Sequence, residues 1–95
     1  MAIRVIIERQ IIPGNELELN ALLVQLRAQA MHAKGYISGE TLRALENPNY
    51  YIVISTWDSL EDWQSWEKNE KRKNIQLKID TLLRTPSRHR VYVYD

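Results

Sequence analysis

Residues 35–66, GYISGETLRALENPNYYIVISTWDSLEDWQSW, constrain the fold more than any other part of this chain. Residues 36–45 read as a strand. Glu46-Asn47-Pro48-Asn49 follows as a turn, because Pro fixes φ and Asn tolerates turn geometry. Residues 50–57 then return as the second strand of a hairpin. Their run Tyr50, Tyr51, Ile52, Val53, Ile54 is apolar on both faces, and such a strand is normally covered on both sides. Asp58 or Ser59 is placed to cap a helix, with Glu61 or Asp62 answering it in the first turn. Trp57, Trp63 and Trp66 therefore fall within ten positions, at the junction of hairpin and helix.

The flanking segments complete a pattern. Residues 2–12 are rich in β-branched side chains (Ile3, Val5, Ile6, Ile7, Ile11, Ile12) and read as a strand. Pro13-Gly14 ends it. Asn15 is placed to cap a helix over residues 16–34, with Glu18 at capping-box spacing. Leu19, Leu22, Leu23, Leu26, Ala30 and Ala33 form its apolar stripe, and Gly35 supplies the stop. The helix of Leu60, Trp63 and Trp66 frays into the charged run 67–73, read as solvated. A further helical piece carries Ile75, Ile79, Leu82 and Leu83. Thr85-Pro86-Ser87 breaks it, and residues 88–94 alternate as a last strand.

The order β-α-β-β-α-β is the ferredoxin-like α+β plan, with helices on one face of an antiparallel sheet. A chain of 95 residues is one domain and has no third layer for the other sheet face. That face is still apolar in the first and third strands. A bare apolar sheet exceeds what a soluble monomer normally exposes, so a homodimer packed sheet to sheet is expected.

Composition removes several function classes. There is no Cys, which excludes disulfides, Fe–S clusters and thiolate metal sites. The two His, His32 and His89, are far apart, so no metal site is expected. A net charge of +1 gives no electrostatic case for nucleic acid or for an anionic membrane. No apolar run approaches the ~18 residues of a membrane span, and the N-terminus lacks a signal-peptide core, so a cytoplasmic location is the default. An RNA-recognition motif shares the element order, but it needs Gly and aromatics on the third strand. Here that strand is Tyr-Tyr-Ile-Val-Ile-Ser-Thr, and the chain has no Phe.

Over nearly its whole length the chain resembles the antibiotic biosynthesis monooxygenase (ABM) family. The resemblance rests on Pro13-Gly14, Gly35-Tyr36, Gly39-Glu40-Thr41 and Asn47-Pro48. It continues through Ser55-Thr56-Trp57, Trp63, Trp66 and Pro86-Ser87-Arg88 before a Tyr-rich strand. It implies a dimeric α+β barrel with a ligand cleft between sheet and helices. It also implies oxygenation of quinol-like or polycyclic phenolic substrates without metal, flavin or other cofactor. Some relatives instead degrade haem, and others have no known activity.

By the same resemblance, Trp66 matches the helix Trp that lines the cleft. Its place at the edge of the stripe centred on Trp63 suits a cleft wall. Packing alone would also justify it, since a Trp buries ~150–250 Å². Trp63 reads as core or as substrate contact. Tyr36 and Tyr51 (with Tyr50) are candidate phenolic donors to a small aromatic ligand, or hairpin packing. His89 shares a strand face with Val91 and Val93 and is a candidate base or a structural His. Arg90, on the opposite strand face with Tyr92, corresponds loosely to an Arg thought to stabilise a substrate oxyanion, or is a solvated charge. Counting from the shared motifs, the haem-degrading branch's Asn and His positions fall on Ile7 and Gln76. Gln is a poor axial ligand, so haem degradation is not expected. Two functions stand: a cofactor-independent monooxygenase, and a non-catalytic dimeric module that binds a small aromatic molecule.

Overall fold

The computed structural model describes residues 1–95. Its elements are β1 (Ile3–Gln10), α1 (Glu16–Ala30), β2 (Tyr36–Arg43), β3 (Tyr50–Trp57), α2 (Leu60–Glu67), α3 (Glu70–Asp80) and β4 (Arg88–Val93). The sheet order is β2-β3-β1-β4, and every neighbouring pair is antiparallel. This is the ferredoxin-like arrangement, with one addition. The second helical segment is two helices, so three helices cover the sheet.

Strand alternation sorts the chain into two faces. Ile3, Val5, Ile7, Arg9 and Ile11 point to the helices and are buried. Ile6 pairs with Ile54 and with Arg90 on the other face, where Ile52, Leu42 and Tyr92 also lie. Leu42 and Tyr92 are exposed, and no element of this chain crosses that face.

The covered face holds two apolar clusters. One gathers Ile3, Val5, Ile7, Ala30, Trp57, Trp63 and Trp66. The other gathers Ile11, Leu19, Leu22, Tyr51, Ile79, Leu82 and Leu83. The second closes where the chain after α3 returns to β1. There the Ile12 N–H donates to Leu82 O (2.9 Å) and the Arg84 N–H to Gln10 O (2.9 Å).

Several local expectations change. Asn15 makes no side-chain cap. Instead Glu16 Oε1 accepts from the Gly14 N–H (3.1 Å), while the Asn15 carbonyl accepts from the Leu19 N–H. Helix α1 stops at Ala30, not at 34. The His32 and Ala33 N–H groups bond three residues back and tighten the end into turns. Gly35 follows at φ +82°, and a Cβ there would collide with the Asp62 carboxylate. At α2, Ser59 Oγ accepts from the Asp62 N–H (3.2 Å), as the spacing predicts. The charged run after Trp66 does not fray. Asn69 Oδ1 accepts from the Arg72 N–H (3.1 Å) and starts α3. No helix is long and apolar enough to cross a membrane.

Candidate functional site

A cleft lies between the aromatic end of the sheet and helices α1 and α2. Its interior leaves about 70 Å³ for the centres of water-sized spheres, against the ~10–15 Å³ on that measure that one water needs.

Its aromatic wall follows from local structure. Trp63 and Trp66 are three residues apart on α2 and so share one face, turned onto Trp57 at the end of β3. Trp57 and Trp66 stack with centroids 6.3 Å apart, while Trp63 meets Trp57 edge-on at 5.8 Å. Tyr36 meets the other edge of Trp57 at 5.3 Å. Ser55 Oγ accepts from the Trp57 indole N–H (3.1 Å), which fixes that ring. Leu23, Leu26 and Ala30 of α1 close the opposite wall.

Tyr36 faces the cleft because β2 carries a register shift between Tyr36 and Ser38. The extra residue brings Tyr36 and Gly39 to the same side. A Cβ at Gly39 would stand 2.6 Å from the Tyr36 hydroxyl, so a larger residue there would displace the phenol. Exposed Arg27 donates to the Gly39 carbonyl, tying α1 to the cleft rim.

The floor contains a residue that sequence analysis passed over. Arg9 is 2% exposed and lines the cleft two positions beyond Ile7. Its Nη2 donates to Gln76 Oε1 (3.1 Å). Gln76 in turn donates from Nε2 to Asp80 Oδ1 (2.8 Å) and to Ser87 Oγ (3.0 Å). Arg9 Nε and Nη1 are buried without a partner. Burial lowers the guanidinium pKa to about 10; Arg72 adds to this, and Asp80 opposes it. Arg9 is therefore a cation at neutral pH. The signal was present in the sequence, since Arg9 has the parity of Ile3, Val5, Ile7 and Ile11. Trp57, at the junction of hairpin and helix, is also cleft wall.

Of the residues singled out beforehand, Trp66, Trp63 and Tyr36 come together in the cleft. Tyr51 does not: it is buried in the second cluster among Leu19, Ile79 and Leu83. His89 lies behind the wall, edge-on to Trp63 at 5.4 Å, with its Nε2 3.2 Å from Glu67 Oε2. Glu67 thus stays with the sheet rather than departing with a frayed helix end. Arg90 lies on the uncovered face, paired across from Ile6. His32 is exposed.

The basic run 71–73 is not wholly solvated. Arg72 lies over the Trp63 ring at 5.5 Å and donates from Nη1 to the Glu67 carbonyl (3.1 Å). Burial lowers its pKa, against the opposing effects of Glu67 and Asp80. His89 and Arg72 both pack against Trp63.

The residues do not fit haem. Ile7 offers no donor, and the Gln76 amide is engaged by Arg9, Asp80 and Ser87. No group of three His, Asp or Glu is placed to hold a metal ion.

Known proteins share this architecture. The chain superimposes on a conserved protein from Methanosarcina mazei Go1 with a TM-score of 0.94, covering 100% of this chain and 94% of that one at 21% identity. It superimposes on SnoaB, a cofactor-independent oxygenase from Streptomyces nogalater, with a TM-score of 0.89. There it covers 99% of this chain and 93% of that one at 14% identity. Among curated sequences, Protein SchA of Streptomyces halstedii is 22% identical over 82 residues, 86% of this chain. This chain spans only 22% of that protein's length. The family model for antibiotic biosynthesis monooxygenase matches residues 2–78, which contain β1 to α2, most of α3 and every residue of the aromatic wall. This chain belongs to the antibiotic biosynthesis monooxygenase family.

Proposed function

We propose that this protein is a cofactor-independent monooxygenase that oxidises a small quinol-like or phenolic aromatic with O2 in the Trp66 cleft. The observation that carries this is the cleft itself: flat indole walls from Trp57, Trp63 and Trp66, with the Tyr36 hydroxyl at one end. Flat apolar walls favour a planar ring and exclude water. The likeness to SnoaB, described as a cofactor-independent oxygenase, supports the same reading.

A phenol can supply its own electrons. It loses its proton to water, and the phenolate passes one electron to O2. The phenoxyl radical and superoxide then join at the para carbon. Loss of water from the resulting hydroperoxide leaves a quinone carbonyl, so one oxygen atom enters the product and the other leaves as water. The protein must exclude solvent and stabilise charge as it develops. The Trp66 indole N–H and the Tyr36 hydroxyl are the donors proposed for this. His89 acts only by holding Trp63.

The protein works as a homodimer in this reading. The exposed face with Ile6, Ile52, Ile54, Leu42 and Tyr92 is the surface that a second copy covers. Arg90 then belongs to the interface rather than to the chemistry. Light scattering of dilute protein should give about twice 11.2 kDa. A stable lone subunit would remove this part of the reading.

A second reading is a binding module without turnover. It is favoured by one observation: no His lines the cleft to act as base. Oxygen uptake with a panel of hydroquinones, naphthols and anthrones separates the two. Turnover that falls at least tenfold in Trp66→Ala supports the oxygenase. Bound ring with no oxygen uptake leaves the module.

A further inference from the structure

We infer that the inner end of the cleft receives an anionic oxygen of the ligand on the Arg9 guanidinium, which narrows the ligand to aromatic acids and acidic phenols. This rests on the reading of the cleft as a ligand site. It adds what the aromatic walls alone do not specify, namely the charge of the molecule and the end by which it is held.

Arg9 occupies a position where the strand pattern calls for an apolar residue. Its neighbours of the same parity, Ile7 and Ile11, are buried, and Ile11 is fully so. A buried cation is strongly unfavourable unless it is paired. Here the pairing is incomplete. No carboxylate lies within ion-pair distance of Arg9, and Asp80 reaches it only through Gln76. One nitrogen, Nη2, has a neutral partner, while Nε and Nη1 have none. A guanidinium retained only for stability would normally meet a carboxylate with its planar fork.

The surroundings hold this arrangement in place. Gln76 is fixed from its other end by Asp80 and Ser87, so its carbonyl oxygen is presented to Arg9 and anchors one corner of the guanidinium. The remaining N–H groups are buried without partners, and Arg9 is part of the cleft lining. The other cleft arginine, Arg27, is exposed, so water screens its charge. Arg9 is therefore the buried cation of the cleft for a ligand that has entered between the indoles and α1. A carboxylate or phenolate oxygen would satisfy its open donors and neutralise its charge in a low-dielectric site. For a phenol, the same contact favours the ionised form, with the proton released to water.

Three probes of one ring size test this: 4-nitrobenzoate, 4-nitrophenol and 4-nitrobenzyl alcohol, with binding followed by quenching of Trp fluorescence in the purified protein. The expected result is that 4-nitrobenzoate binds at least tenfold more tightly than the alcohol at neutral pH. Bound 4-nitrophenol should ionise at lower pH than free 4-nitrophenol, read directly from its absorbance. Both effects should vanish in Arg9→Met and Arg9→Gln and survive in part in Arg9→Lys. A shift for the phenol without a preference for the benzoate assigns the site to phenolates, and the converse assigns it to carboxylates. Equal binding of all three probes, or a preference that persists in Arg9→Met, overturns the inference and leaves Arg9 a structural residue. Binding of none of them overturns the cleft reading together with it. Should Arg9→Met fail to fold, Arg9→Lys and Gln76→Leu carry the test. Gln76→Leu frees Nη2 and should keep the anion preference.

Discussion

The two clusters under the helices are built from the same sheet but behave differently. At the end formed by Ile11, Leu19, Leu22, Ile79, Leu82 and Leu83, branched aliphatic side chains interdigitate, and Ile11, Leu19 and Ile79 lose all exposure. At the other end, three indoles and a phenol meet at centroid distances of 5.3–6.3 Å, in edge-on and stacked pairs. Rigid planes cannot fold into every gap, so this end keeps a slot. Close packing and an open cleft thus come from a choice of side-chain shape, not from a change of fold. Arg9 stands at the border, between Ile7 of one cluster and Ile11 of the other.

The largest expected effect is at the aromatic end. Trp57→Ala should destabilise the protein by about 4 kcal/mol, since it removes a fully buried ring that touches Tyr36, Trp63 and Trp66. Urea unfolding followed by far-UV circular dichroism measures it. If the loss is under about 1 kcal/mol, the aromatic end is not packed as described. Leu19→Ala should cost about 3 kcal/mol by the same measurement, because a new cavity opens in the aliphatic cluster. Unlike the Trp change, it should leave 4-nitrobenzyl alcohol affinity unaltered, and altered affinity would mean that the two ends are coupled.

A smaller loss, about 2 kcal/mol, is expected for Gly35→Ala, where a positive φ and the Asp62 side chain both oppose a Cβ. It should be accompanied by a perturbed Trp63 and Trp66 environment in near-UV dichroism, because Asp62 lies in the first turn of their helix. An unchanged spectrum would separate the turn from the aromatic end.

The smallest effect lies at the aliphatic end, at the start of α1. Backbone N–H groups of Glu16 and Gly14 hold the Glu16 carboxyl below its ordinary value of 4.5. A depressed folded pKa contributes stability above the unfolded value and loses it as pH falls through the folded one. The stability advantage of the parent protein over Glu16→Gln should therefore be present at pH 6 and shrink toward pH 3. A constant difference across that range would show that the contact is not formed by the charged carboxylate.

Much of this was legible in the residues. The hairpin, the Ser59 cap, the antiparallel plan and the meeting of Trp63, Trp66 and Tyr36 follow from turn chemistry, spacing and the family resemblance. The misses at the charged run and at Tyr51 depended on partners distant in the chain, while those at Asn15 and Arg9 were local. Asn15 looked like a cap, but Glu16 took the neighbouring N–H instead. The charged run 67–73 looked solvated until α3 folded back. Then Arg72 covered Trp63 and Glu67 met His89 on β4. Tyr51 read as a ligand contact or as hairpin packing, and its register opposite Arg9 sends it into the aliphatic cluster. Arg9 was passed over because its buried parity was outweighed by its charge.

The register slip at Ile37 makes one residue of the edge strand surplus to what the cleft presents. Deleting Ile37 would leave Tyr36 two residues before Gly39, and plain two-residue alternation would keep the phenol beside Trp57. Ironing out the kink while keeping Ile37 would do the reverse, because Tyr36 would then stand three residues from Gly39 and turn to the opposite surface. The edge strand can thus lose a codon here more safely than it can lose its bulge.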